Sequence, residues 1–426
     1  MTLGWLSIVR LGLVQTCLGA IVVLTTSTLN RLMVIELALP AVLPGLLVAL
    51  HYGIQMTRPN WGFISDQGGN RTRWIVLGMI ALALGGFGAA LGVVLLQTVW
   101  ISGLLLSIVS YALIGLGVGA SGTSLLALLA TSTAPHRRAA AATITWLMMI
   151  FGIAVTAGTV GAFLDPYSPE LLLKIVAIVC VSAVVVTMLA TLGIERGITS
   201  EVSTADPMGF AEGLREVWSE PKARIFTIFV FLSMTAYFMQ ELILEPYAGL
   251  VFGFTPGQST SLSGAQNGGV FIGMLTVGIA ATGLRIGQLR HWVVAGCLGS
   301  ALTLIFITII GQMGHIPLTP FVVGLGFFNG MFAVAAIGSM MALAGDGRET
   351  REGTRMGLWG AAQAIAAGFG GLLGAAAVDL MRGPLPDATA FGAVFLLEAS
   401  LFLAAALMAS RTMENRAPDA RLIAGE

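Results

Sequence analysis

Ionisable side chains are scarce in this chain, so each one set inside an apolar run invites a chemical reading. His51, in Ala49-Leu-His-Tyr-Gly-Ile-Gln55, stands seven residues before Arg58. That places it roughly 10 Å inside a helix, at about 1.5 Å per residue. A neutral imidazole at such depth suits axial ligation of a chelated metal ion, and equally suits a hydrogen bond to a neighbouring helix. His136 and His291 sit at the ends of apolar runs, and His315 follows one. Glu36, Glu241 and Glu245 form a second group, with Asn30, Arg31 and Gln240 close by in sequence. They would make either a buried ion-pair network or a contact site for a lipid, a pigment or a partner peptide. Enzyme chemistry has no foothold. No glycine-rich loop leads into Lys-Ser/Thr, no His/Glu spacing suits a metal, and no aspartate-rich prenyltransferase motif is present. Cys17, Cys180 and Cys297 each stand alone in apolar sequence, as buried structural thiols do.

The elements that hold these groups must be membrane spans. The 426 residues are 56% hydrophobic and only 10% charged, with a mean hydropathy of +0.91; water does not keep such a surface in solution. The net charge is zero and no basic block occurs, which excludes the usual electrostatic footprint for nucleic acid. Met1 to Arg10 runs directly into apolar sequence, so an uncleaved first span is expected. Apolar segments of spanning length occupy 7–29, 41–58, 74–97, 101–130, 140–164, 170–193, 224–246, 263–284, 292–312, 319–344, 356–378 and 390–410. The sequence therefore predicts an all-α membrane protein with twelve transmembrane helices. The longest polar interval, Glu195 to Arg224, divides it into residues 1–194, a linker at 195–223 and residues 224–426. Within that linker, Asp206 to Trp218 has the apolar spacing of a short surface helix. Placing Arg10, the even-numbered connections and the C-terminal tail on one side gives that side eighteen of the 21 basic residues. Only Arg31, Lys174 and Arg382 remain opposite, so both termini are expected in the cytoplasm.

The halves echo each other. Arg138 precedes Trp146 by eight residues, and Arg351 precedes Trp359 by eight; each run then leads to an aspartate, Asp165 or Asp379. Glu36-Leu-Ala-Leu-Pro40 has a counterpart in Glu241-Leu-Ile-Leu-Glu-Pro246. Two parallel six-span repeats are the plan of the major facilitator superfamily. The connection between spans two and three agrees, since Gly62-Phe-Ile-Ser-Asp66-Gln-Gly-Gly69-Asn-Arg71-Thr-Arg73 resembles that superfamily's signature. Gly62, Asp66, Gly69 and Arg71 match, while Gln67 and Asn70 replace residues that are usually basic. The resemblance implies that Asp66 clasps the two halves on the cytoplasmic side, with Arg71, Arg73, Arg137 and Arg138 at the headgroups. Span four carries no charge and span ten carries only Asn329, so a lipophilic cargo suits these walls better than a polar solute.

A more particular resemblance runs from Thr28 to Asp66, through Asn30-Arg-Leu-Met-Val-Ile-Glu36, Pro40-Ala-Val-Leu-Pro44 and His51-Tyr-Gly-Ile-Gln55. With Arg-Arg-Ala at 137–139 and the Gly/Ala-rich eleventh span, the whole chain resembles the PucC family of phototrophic bacteria. The resemblance implies a non-enzymatic factor for light-harvesting complex assembly in the inner, photosynthetic membrane. Such a factor binds bacteriochlorophyll as cargo and hands it to antenna polypeptides; some members are associated with bacteriochlorophyll synthase. It makes His51, Tyr52, Gln55, Glu36, Glu241, Glu245, Asn30 and Arg31 the candidate pigment contacts, with His51 axial to the pigment magnesium. Two rivals stand beside it: a secondary transporter of a lipophilic or tetrapyrrole-like solute, and a non-catalytic accessory subunit of the synthase.

Overall fold

The computed structural model describes residues 3–58, 61, 70–134, 137–195, 218–284, 286–345 and 352–412. Among them, twelve long helices carry the chain back and forth. They are α1 (Trp5–Glu36), α2 (Val42–Thr57), α3 (Arg71–Leu96), α4 (Trp100–Ser132), α5 (Arg138–Phe163) and α6 (Pro169–Thr191) in the first half. The second half has α7 (Pro221–Phe252), α8 (Pro256–Val277, continued by a π-helical turn Gly278–Gly283), α9 (Leu289–Met313), α10 (Thr319–Gly345), α11 (Glu352–Arg382) and α12 (Asp387–Thr412). Eleven are long and apolar enough to cross a bilayer, and α2 is shorter. The protein is a multi-pass membrane protein.

Several ends differ from the sequence expectation for local reasons. Helix α1 runs seven residues beyond 29 because two π-helical turns, Leu24–Thr28 and Leu32–Glu36, absorb its polar stretch. A π turn releases backbone carbonyls from the ordinary ladder; Tyr111 of α4 donates to one of them, Thr25 O, at 2.9 Å. Helix α8 starts at Pro256 rather than 263. Thr255 and Gln258 form a reciprocal capping box there and Pro256 occupies the first turn, a polar start that an apolar window passes over.

Packing repeats between the halves. In the first, α1 lies on α5 and α6, α2 on α4, and α3 on α4 and α6; in the second, α7 lies on α11 and α12, α8 on α10, and α9 on α10 and α12. Adding six to each number in the first set gives the second, as a parallel repeat requires. The largest contacts between the halves are two crossings, α2 on α11 and α5 on α8, which the same operation interchanges. The α5–α8 crossing depends on glycine: a Cβ on Gly264 would lie 2.5 Å from the Gly158 backbone nitrogen. Small residues at that point let the helices touch backbone to backbone.

Both chain ends of the bundle share one face, here called the terminal face. Leu3 N–H donates to Ser132 O at 2.7 Å, and Arg10 Nε donates to Ala190 O at 3.0 Å. At the start of α3, the Asn70 side chain accepts from Arg73 N–H at 3.0 Å. Asn70 thus departs from the superfamily pattern as an N-cap. Glu195 accepts from the N–H groups of Arg71 and Thr72 at 2.9 and 3.1 Å. Arg71 is buried, Arg73 is exposed, and Arg137 lies over the Trp5 ring at 5.3 Å. Gly62, Asp66, Gly69, the side chain of Arg138 and the linker segment before Trp218 lie outside the described residues.

Candidate functional site

Two polar groups face the junction between the halves. The first joins α1 to α7 and α8. Pro246 lies inside α7 and has no N–H for the carbonyl four residues earlier, which belongs to Leu242. Asn30 of α1 supplies the missing donor, its Nδ2 reaching Leu242 O at 2.7 Å. One turn along, the Ser27 hydroxyl donates to Glu245 Oε1, and the Thr28 and Thr260 hydroxyls lie 3.2 Å apart. Arg31 Nη1 meets Glu36 Oε1 at 2.7 Å, and its Nη2 donates to Phe254 O at 2.8 Å. Asn30, Arg31, Glu36 and Glu245 therefore work as one cross-half assembly. Thr26 stands beside Glu241 on the same seam.

Polar capacity remains within this assembly. Asn30 Oδ1, Arg31 Nε and Glu245 Oε2 are all buried and have no hydrogen-bond partner among the described residues. Glu36, by contrast, is 36% exposed at the side chain. It opens onto a pocket of about 490 Å³ lined by Leu37, Leu39, Leu96, Gln97, Trp100 and Tyr167. These residues stand at the ends of α1, α3 and α5 and the start of α4, on the face opposite the termini.

The second group belongs to α2. Arg58 donates to Gln55 Oε1, and Gln55 Nε2 lies 2.9 Å from His51 Nε2. Because the Arg58 bond fixes the Gln55 oxygen as an acceptor, the Gln55 amide N–H points at His51 Nε2. That nitrogen is then the acceptor of the ring, and Nδ1 carries the proton. Nδ1 has no partner among the described residues, and His51 is only 2% exposed. The α4 helix presses on the backbone here, since a Cβ on Gly115 would lie 2.6 Å from His51 O. The lone pair a pigment magnesium would take is already engaged, and the imidazole has no open face for a macrocycle. His51 does not fit the axial role in this conformation. The Tyr52 ring, 4.7 Å from that of His51 between centroids, is also edge-on to Phe238 of α7 at 5.7 Å, with Tyr237 and Glu241 in the same neighbourhood.

Two further carboxylates form a pair that sequence reading noticed only as an echo. Asp379, near the end of α11, accepts from Ala41 and Val42 N–H at 2.9 and 2.7 Å, capping α2. Asp165, just beyond α5, accepts from Gly257 N–H at 3.0 Å and from the Thr255 hydroxyl, capping α8. Each aspartate reaches across the half-interface on the face opposite the termini, and the parallel repeat interchanges them. Their negative charge meets the positive end of a helix.

The sequence profile described as PucC protein matches residues 28–417, most of the chain. The chain belongs to the PucC family. The bacteriochlorophyll synthase 44.5 kDa chain of Rhodobacter capsulatus is 70% identical over 416 residues, covering 98% of this chain and 97% of that one. Protein PucC of Cereibacter sphaeroides is 30% identical, covering 93% and 90%. Solved structures share the fold at low identity. A bacterial homologue of the human lysosomal transporter Spinster, inward-facing and occupied, gives a TM-score of 0.70 at 15% identity, with 97% of this chain and 98% of that chain covered. A POT peptide transporter gives 0.72 at 16%, with 96% of both chains covered. This PucC-family chain thus has the major facilitator fold.

One buried carboxylate escaped the sequence reading altogether. Glu398 of α12 is 0% exposed and neither of its oxygens has a hydrogen-bond partner among the described residues. It was legible as a lone acid in Phe395-Leu-Leu-Glu-Ala-Ser-Leu-Phe402. Phe395 and Phe402, within one turn on either side, pack on Tyr247 and Phe332, which places Glu398 among the aromatic rings of the second half.

Proposed function

We propose that this PucC-family protein is a non-catalytic assembly factor of bacterial photosynthesis, which binds bacteriochlorophyll and passes it to light-harvesting antenna polypeptides. The observation that carries the reading is membership of the PucC family along residues 28–417, and the 70% identity to a protein named as a chain of bacteriochlorophyll synthase ties it to that pigment. The physical setting agrees with a greasy cargo. The interface between the halves is walled by apolar and aromatic side chains, with a few polar groups able to set orientation. Tyr52, Phe238, Tyr237 and Glu241 supply that mixture where α2 faces α7. The protein sits in the inner, photosynthetic membrane with the terminal face in the cytoplasm, as the basic residues gathered on that side favour.

A second reading, an accessory subunit of the synthase with no pigment seat of its own, is favoured by the name of that same relative. Affinity purification from a phototroph, with mass spectrometry of the bound proteins, tests the partners. Antenna polypeptides bound to the protein are the expected result. Synthase without antenna polypeptides would overturn the delivery role and leave the accessory one.

A further inference from the structure

The acidic pair Glu241 and Glu245 on α7 has more polar machinery around it than an inert ion pair uses. The two carboxylates are one helical turn apart, on the side of α7 that meets the first half. Thr26, Ser27 and Arg31 of α1, Tyr52 of α2, Ser263 of α8 and Tyr237 of α7 itself face them. Arg31 does not serve as a dedicated counter-ion, because its two terminal nitrogens bond Glu36 and Phe254 O. Glu245 Oε2 and Arg31 Nε, both buried, keep unused hydrogen-bonding capacity at the same spot. Glu245 is only 3% exposed, and ionisable groups inside membrane spans are costly and line ion pathways and proton relays.

Polar groups continue from the pair toward both faces. In one direction Arg31 leads to Glu36 and the open pocket on the face opposite the termini. In the other, Tyr52 adjoins His51 with ring centroids 4.7 Å apart, and His51 leads through Gln55 to Arg58 near the terminal face. We propose that the Glu241–Glu245 pair is a proton-exchange site, loaded from one face and unloaded to the other, so that the protein moves protons across the membrane. Each transfer places one proton on a carboxylate oxygen and later returns it to water. The transmembrane proton gradient supplies the drive and no other reactant is consumed. The proposal does not depend on pigment delivery.

The test uses the full-length protein in liposomes with a pH-sensitive dye enclosed, a potassium–valinomycin clamp and an imposed pH difference. The wild-type protein is expected to dissipate the difference faster than protein-free vesicles. Glu241→Gln and Glu245→Gln are expected to lose that increment, and Glu398→Gln, a buried acid away from the junction, is expected to keep it. Dicyclohexylcarbodiimide, which adds to protonated carboxyls in apolar surroundings, is expected to block wild-type flux and to modify Glu241 or Glu245. This arm needs no variant that folds. Wild-type flux equal to that of empty vesicles would overturn the proposal. So would flux that survives in both Gln variants, or carbodiimide block with neither glutamate modified.

Discussion

Asn30 and Pro246 give the sharpest statement at the scale of single residues, because each explains the other. Pro246 frees the Leu242 carbonyl, and Asn30 occupies it. Asn30→Leu strands that acceptor away from water, at a cost of about 1–3 kcal/mol. Thermal unfolding in detergent is expected to show the loss. Adding Pro246→Ala restores an N–H for Leu242 O, so the double variant is expected to recover much of it. Independent, additive losses would contradict the pairing. Of this contact, the sequence displayed both residues but not their partnership, since a proline's orphaned carbonyl has no sequence mark on the helix that satisfies it. His51 marks the opposite limit. A histidine in an apolar run was easy to see, but whether its lone pair is free depends on Gln55 and Arg58, whose rotamers the sequence does not specify. His51→Leu is accordingly expected to leave bound pigment unchanged in an absorption spectrum of the purified protein. Loss of pigment would show that Gln55 gives way to magnesium.

At the scale of helices, the two aspartate caps and the glycine crossings decide how the halves meet. The repeated aspartates were visible in the sequence, Asp165 nineteen residues after Trp146 and Asp379 twenty after Trp359. Their role was not, because a cap on a distant helix is set by the half-to-half docking. Asp379→Ala removes two charge-assisted hydrogen bonds from the start of α2, with an expected cost of about 1 kcal/mol. With Ala41→Cys as a reporter, maleimide reagent added from the face opposite the termini is expected to label faster in Asp379→Ala than in the parent. Equal labelling would mean that the clasp does not hold that face shut. Along α8, Gly264→Leu forces a side chain into the Gly158 backbone and is expected to abolish monodisperse protein on size exclusion. Gly268→Ala, one turn further on, has no atom within 4 Å of the added carbon and is expected to be neutral. Similar behaviour of the two variants would contradict the close crossing.

For the whole molecule, low charge and regular apolar runs made the membrane, the span count and the two-half plan legible before any coordinate. Those features answer to the solvent, and lipid imposes its period on every span. The site was legible only in outline. Asn30, Arg31, Glu36 and Glu245 do gather across the halves, while Tyr52, His51 and Gln55 form a separate stretch on α2 that turns one side chain toward α7. The fold, shared with transporters at 13–16% identity, says nothing of cargo. Kinship within the PucC family supports the pigment role. The most direct measurement is an absorption spectrum of the protein purified gently from phototrophic membranes. A bacteriochlorophyll band that stays with the protein through size exclusion is the expected result. Protein free of pigment, from membranes that are still making bacteriochlorophyll, would contradict the account.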